Sequence, residues 1–347
     1  MEKQQVKQKK ESLLTRILLK PEVGILIPIL IIVAAAMIIE PKVLKAWDNY
    51  LFQIVSNMAP IGFAAFAEML IIMVGEIDLS VGTAATLAGC CAGWTCVNWG
   101  FSFWAVVLVC LGVGALIGLV NGLLSAKLGL ISWITTLATQ FVCNGLAQTI
   151  TQGIPLPIKY ENFDYSSFSS GYPIDLDLGF MRIKLSWWFF VILAAMIILS
   201  LFVNRTKFGY RLRAVGGNKE AALLAGINVS NVKLIVFILA GLITAMGGLA
   251  DILQSQSANW TNGQGREFRA ITCCAIGGIA MSGGAGSVYG IGLGIVMFHM
   301  VQQLLQIAGP AVGIDTNKQL ILMGAILIIA VILDTIRAKI KAKMAVK

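Results

Sequence analysis

Glu76 and Asp78 stand two residues apart in the stretch GEIDLSVG, residues 75–82, between two long apolar runs. Ser80 follows two residues later. At this spacing the carboxylates and the hydroxyl offer acceptors to water or to the hydroxyls of a polar solute. The same atoms suit a second role: Asp78 or Ser80 can cap a helix that begins near Leu79, because such side chains accept from the free N–H groups of a first turn. A capped break would otherwise leave backbone unsatisfied in an apolar medium. A third reading is a peripheral turn. Acids beside apolar runs are costly unless they face water, a partner or such a backbone, and they often mark a solute path. Asn121 joins Glu76, Asp78 and Ser80 as a candidate for that path.

Other chemistry finds little support. The seven cysteines (Cys90, Cys91, Cys96, Cys110, Cys143, Cys273, Cys274) lie in apolar runs without a CxxC pair, and His299 is the single histidine. That composition argues against a metal site, a disulfide framework and Cys/His catalysis. The cysteines read as small packing residues. His299, with no acid a turn away, reads as a packed helix residue in preference to a proton relay. No G-x-x-x-x-G-K-[ST] phosphate cradle is present, and the H-E-x-x-H and G-x-S-x-G signatures are absent too. The chain itself is not expected to hold ATP, a metal or any other cofactor.

These residues must be positioned by helices in a bilayer. Of 347 residues 58% are hydrophobic and only 12% charged, a balance rare in a soluble domain. Ten segments approach the roughly 20 apolar residues that a membrane helix needs: 23–39, 57–75, 80–97, 103–124, 130–151, 186–203, 232–253, 266–282, 286–307 and 319–336. The fold expected is an all-α polytopic membrane protein. The short, glycine-rich spans 80–97 and 266–282 are open to a half-helix or re-entrant reading.

Basic residues orient the chain, since Lys and Arg collect on the cytoplasmic side of short loops. Residues 1–22 carry six, 204–220 carry five and 337–347 carry five. Both termini and the loop 204–231 are therefore expected in the cytoplasm, and the loop 152–185 outside. Trp187 and Trp188 follow that outer loop as interfacial anchors. The single transmembrane domain then covers 23–336. The net charge of +9 is split among the inside segments, which argues against a nucleic-acid stripe.

The loop 204–231 holds a short helical piece, NKEAALLAGI. Asn218 is a good N-cap, Glu220 sits where the helix dipole favours an acid, and Gly226 is a stop. Ala221, Ala222, Leu223, Leu224 and Ala225 have small or apolar surfaces, unlike a helix that lies on lipid. Such a helix is built either to enter a groove on another protein or to act as an ordinary surface turn.

TKFGYRLRAVGGNKEAALLAGINVSNVKL, at 206–234, closely resembles the cytoplasmic segment of permease subunits of ribose-type ABC importers, a family that includes ribose, xylose, galactose and autoinducer-2 permeases. GEIDLSVG, LIGLVNGLLSAKLGLISWITTLAT at 116–139 and AIGGIAMSGGAGSVYGIGLG at 275–294 match the same family in order. The resemblance implies ten spans in two five-helix halves related as an inverted repeat. It implies a homodimer or a pair with a related permease, ABC ATPase subunits that hold ATP and Mg, an extracytoplasmic sugar-binding protein, and a bacterial plasma (inner) membrane. Gly216, Gly217, Asn218, Glu220, Ala221, Ala222, Gly226 and Ile227 would form the coupling helix. A bulky residue at Ala222 or Gly226 is then expected to abolish uptake in a folded protein. Two positions depart: family members commonly have glycine where Glu76 stands and an acid where Arg269 stands.

The stretch GGIAMSGGAGSVYG lacks a preceding soluble strand and reads as close helix packing, not as a phosphate loop. Gly283, Gly284 and Gly286 would turn the chain sharply, and Gly290 would let the next span approach a neighbour. The competing function classes are a stand-alone secondary transporter or channel for a small polar solute, and a membrane scaffold or enzyme. The cytoplasmic helix favours the importer, since a carrier that works alone needs no ATPase dock.

Overall fold

The computed structural model describes residues 47–158, 171–179 and 182–308, with isolated positions beyond. The span expected at 23–39, more than half of that at 319–336 and the terminal basic tails lie outside the described residues. In chain order the helices are α1 (Trp47–Met73), α2 (Val81–Trp99), α3 (Phe103–Gly122), α4 (Ser132–Ile150), α5 (Trp187–Arg205), α6 (Lys207–Gly217), α7 (Lys219–Leu224), α8 (Val229–Ser255), α9 (Arg266–Ile276) and α10 (Val288–Ala308). Among the described residues, five helical stretches are long and apolar enough to cross a membrane: Ile54–Met73, Phe103–Lys127, Trp187–Arg205, Val229–Ser255 and Val288–Gln306. Helices α2 and α4 have 19 residues each and carry more Gly, Thr, Asn and Gln.

One open reading is decided and one expectation is corrected. Of the readings open for the span at 266–282 the half-helix holds: α9 has 11 residues, about 16 Å, roughly half of a bilayer core. It stops because Gly277 and Gly278 fold the chain back, with Gly277 N–H on Cys273 O (2.8 Å) and Ile279 N–H on Cys274 O (3.0 Å). Nor are the described residues wholly α-helical. In the loop 152–185, β2 (Ile174–Asp177) and β3 (Arg182–Leu185) form an antiparallel hairpin, with Arg182 and Asp175 in a two-pronged ion pair at 2.6 Å. Alternating acids and bases can pair across such a hairpin, whereas a helix would scatter them.

Helix α8 lies at the centre, packed against α1, α2 and α3. Gly114 and Gly118 of α3 and Gly241 of α8 bring two backbones together so closely that a Cβ at any of them would overlap a backbone oxygen. The second half of α1 is apolar on every side apart from Glu68, and Phe66, Met69, Leu70, Ile71 and Ile72 are all at or below 1% exposed. Helix α3 ends in a π-turn, Leu123–Lys127, where Leu128 N–H reaches Leu123 O (3.0 Å).

Contacts distinguish two ends. At one, β1 (Leu156–Pro157) pairs with β4 (Ser257–Ala258), Gln254 Nε2 donates to Ser56 O (2.7 Å), and Ser186 Oγ donates to Val55 O (3.4 Å). At the other, Lys127 Nζ donates to Asn231 Oδ1 and Ser230 Oγ donates to Ala126 O, each at 2.6 Å. The loop after α4 and the start of α8 therefore sit at opposite ends.

Candidate functional site

The GEIDLSVG break begins where α1 unwinds. Gly75, at φ +84°, turns the chain, with its N–H on Ile72 O (2.9 Å) and Glu76 N–H on Ile71 O (3.0 Å). Four successive N–H groups beyond it each find a side-chain acceptor. Ile77 N–H donates to Ser132 Oγ (3.4 Å), Asp78 N–H to Glu68 Oε1 (3.3 Å), Leu79 N–H to Thr136 Oγ1 (2.9 Å) and Ser80 N–H to Asp78 Oδ1 (2.7 Å). In an apolar surround each unmade bond would cost on the order of 1–3 kcal/mol. Two acids, Glu68 and Asp78, and two hydroxyls, Ser132 and Thr136, therefore hold the helix break together.

Asp78, Ser80 and Asn121 are buried, at 6%, 0% and 0% exposure. Ser80 Oγ donates to Asp78 Oδ1 (2.6 Å) and accepts from Asn121 Nδ2 (2.9 Å), while Asn121 Oδ1 accepts from Thr139 Oγ1 (2.7 Å). Ser80 occupies the N-cap position of α2 without a side-chain cap bond; Asp78 instead closes a local turn through Ser80. Glu76 stands apart from this group. Its carboxylate pairs with Lys233 near the start of α8, both side chains about 15% exposed. Arg269, the other departure from the family pattern, lies on α9.

The break touches two further segments through backbone alone. Gly284 N–H donates to Met73 O at 3.0 Å. A Cβ on Gly284 would lie 2.6 Å from Gly217 Cα, and one on Gly283 would lie 2.8 Å from Gly216 O and 3.1 Å from Gly75 Cα. Gly283 and Gly284 both take positive φ, +90° and +75°, making the sharp turn expected of them. Gly286 faces Ile279, and Gly290 brings α10 onto the Gly277 carbonyl of α9. Residues 73–75, 216–217 and 283–284 thus form one glycine joint.

Gly216 and Gly217 of that joint end α6, and α7 follows after Asn218. Asn218 caps α7, its Oδ1 accepting from Ala221 N–H (2.9 Å). Gly226, at φ +76°, ends the segment, with Ile227 N–H on Ala222 O (3.0 Å). Asn218, Glu220, Ala221 and Gly226 are exposed, Ile227 is half-buried, and Ala222 faces inward at 3% exposure. An arginine at Ala222 would therefore strike the permease's own packing. The outward apolar face is Leu223 and Leu224, 54% and 91% exposed. Neither leucine was among the coupling residues expected; their apolar type was the available signal, and only the helix's seating shows that their side is free.

Several neighbours escaped sequence reasoning. Glu68 is fully buried in α1 with Oε2 unpartnered, and an acid inside a span was its available signal. Glu267 accepts from Gln140 Nε2 through Oε1 (2.9 Å), and Arg266 grips Asp251 through two bonds of 2.6 and 2.8 Å. His299 is packed, its Nδ1 3.0 Å from Ile295 O. All seven cysteines are free and all but Cys91 are buried. Among the described residues no group of three or more His, Cys, Asp or Glu could hold a metal ion.

Helices long and apolar enough to span a membrane, a hydrogen-bonded break and an exposed connecting helix describe a multi-pass membrane protein. The chain belongs to the family described as the branched-chain amino acid transport system / permease component, which it matches over residues 50–331. It is similar to the ribose import permease protein of Bacillus subtilis, 32% identical over 315 residues that cover 90% of this chain and 92% of that protein. Similarity to the galactose/methyl galactoside import permease protein of Escherichia coli is 34% over 233 residues, 67% of each chain. The L-arabinose transport system permease protein of Escherichia coli is 32% identical over 280 residues, 81% of this chain and 80% of that one. No solved structure matches the chain.

Proposed function

We propose that this chain is the membrane permease of an ATP-driven importer for a sugar or sugar-like solute. The solute arrives on an extracytoplasmic binding protein, and separate ATPase subunits, which hold ATP and Mg, supply the energy. The observation that carries this reading is the α7 face: two leucines largely exposed on a short capped helix joined through Asn218 to Gly216 and Gly217 of the glycine joint. Exposed apolar side chains in a water-facing loop suit a protein partner. The relatives' names, all sugar import or transport permeases, point to the solute class.

In this reading the basic segments place both termini and α6–α7 in the cytoplasm of a bacterial plasma membrane. Two copies, or one copy and a related permease, enclose the path, and two five-helix halves form an inverted repeat. Residues 216–227 couple ATPase closure to the joint, and the joint to the break. Glu76, Asp78, Ser80 and Asn121 mark the inner end of the path. Their hydrogen bonds are now made to one another and to Lys233, so the break must move before they can meet solute.

The test is purification of the tagged chain from its native membranes in mild detergent, with mass spectrometry of what accompanies it. An ATP-binding-cassette ATPase is expected. Its absence under conditions that retain other membrane complexes would overturn the importer reading and make the chain a carrier or channel that works alone.

A further inference from the structure

Helix α4 presents three faces. Ser132, Thr135, Thr136, Cys143 and Ala147 are buried against the bundle. Phe141 and Val142, 70% and 59% exposed, form an outward apolar face. Between them runs a flank bearing Gln140, Asn144 and Gln148, spaced four residues apart, so that each lies about 6 Å above the last on one side of the helix.

The three amides have different surroundings. Gln140 is half-buried and donates to Glu267. Asn144 is half-buried, and its Oδ1 is shielded with no hydrogen-bond partner. Gln148 is exposed. Amides at membrane depth are costly against lipid and are normally found where water or a polar partner reaches them. The flank borders the buried face that reaches the break: Thr139, about 100° round the helix from Gln140, holds Asn121 and through it Ser80 and Asp78.

We propose that the Gln140–Asn144–Gln148 flank of α4 is a water-filled surface along which a polyhydroxylated solute moves toward the break. Glu267 acts as a positioning residue by fixing the Gln140 amide. A primary amide offers both donor and acceptor, which suits a hydroxyl. Its neutrality lets the solute leave. This inference rests on the importer reading for its solute class, whereas the wet flank itself does not.

The experiment uses single cysteines in the full chain in membrane vesicles, with the unaltered chain as the blank. Gln140→Cys, Asn144→Cys and Gln148→Cys are compared with Phe141→Cys and Val142→Cys, using a charged methanethiosulfonate reagent. Thiolate is the reactive form and needs water, so the flank cysteines should be modified at least about tenfold faster than those on the apolar face. Gln148 is exposed, so its variant tests the inference even where Gln140→Cys disturbs packing. Trapping the complex with a non-hydrolysable ATP analogue should change the rate at 144 and 148 several-fold. Equal, slow labelling of both faces would overturn the proposal. So would spontaneous disulfide bonding of Gln148→Cys between two copies with the reagent excluded, which would make the flank a packed interface. Fast labelling that the ATP analogue leaves unchanged would reduce it to a static crevice and defeat the path assignment. A reactive flank in a chain that brings no ATPase would sink the importer reading and leave the wet surface standing.

Discussion

Leu224→Ala is the sharpest probe of ATPase docking. The side chain is 91% exposed, so removing it costs the isolated permease almost nothing, yet a groove that covers it would lose most of a leucine's burial. Full burial of a leucine is worth about 1.5–3 kcal/mol, and truncation to alanine removes about 2 kcal/mol of that. At 1.4 kcal/mol per factor of ten, ATPase affinity should fall about 30-fold. Leu223, 54% exposed, should give a smaller loss, about fivefold for roughly 1 kcal/mol. The assay is titration of the purified ATPase onto the permease in detergent or nanodiscs, read by fluorescence anisotropy, beside thermal melting of the permease alone. Unchanged melting with weakened docking is the expected pair of results. Ala222→Arg should do the reverse, lowering the melting temperature first, because position 222 is 3% exposed and a charge there is forced into packing. ATPase affinity within twofold of the unaltered chain in a Leu223→Ala/Leu224→Ala variant would refute the assignment of this face.

Three further outcomes follow from the same geometry. Gly284→Ala should destabilise the permease by about 2 kcal/mol or more, since it combines a positive φ with backbone only 2.6 Å away, while Gly217→Ala, whose Cβ meets nothing within 4 Å, should change melting little. Lys233→Met should cost about 1–3 kcal/mol by leaving Glu76 unpaired in a half-buried place; adding Glu76→Gln should return much of that loss in a double-mutant cycle, and strict additivity would argue against the pair. Asp251→Asn should cost about 3 kcal/mol or more in thermal melting, because Arg266 is 5% exposed and its two-pronged bond is its main compensation. Arg266→Met in the Asp251→Asn background should recover stability.

The sequence by itself determined the features that depend on neighbours along the chain. Long apolar runs marked most of the helices, because burial in lipid needs a continuous stretch and little else. Asn218 and Gly226 bounded α7 correctly because a cap and a left-handed stop are satisfied within a few residues. Gly283 and Gly284 announced a turn for the same reason. Tertiary structure alone decided the rest. Two of the four acceptors for the break come from Ser132 and Thr136, 55 and 57 residues from the N–H groups they serve, and Glu76 meets Lys233, 157 residues away. Any helix carrying a hydroxyl could have supplied those acceptors, so residue type named the need but not the donor of the solution. The choice between Ala222 and Leu224 as the outward face was likewise hidden, because six residues of helix present every side in turn and only the surface beneath selects one. The glycines of 266–282 raised a half-length α9 that the turn at Gly277 and Gly278 decided, and the hairpin in the loop 152–185 was settled by cross-strand pairing that apolar run length does not encode.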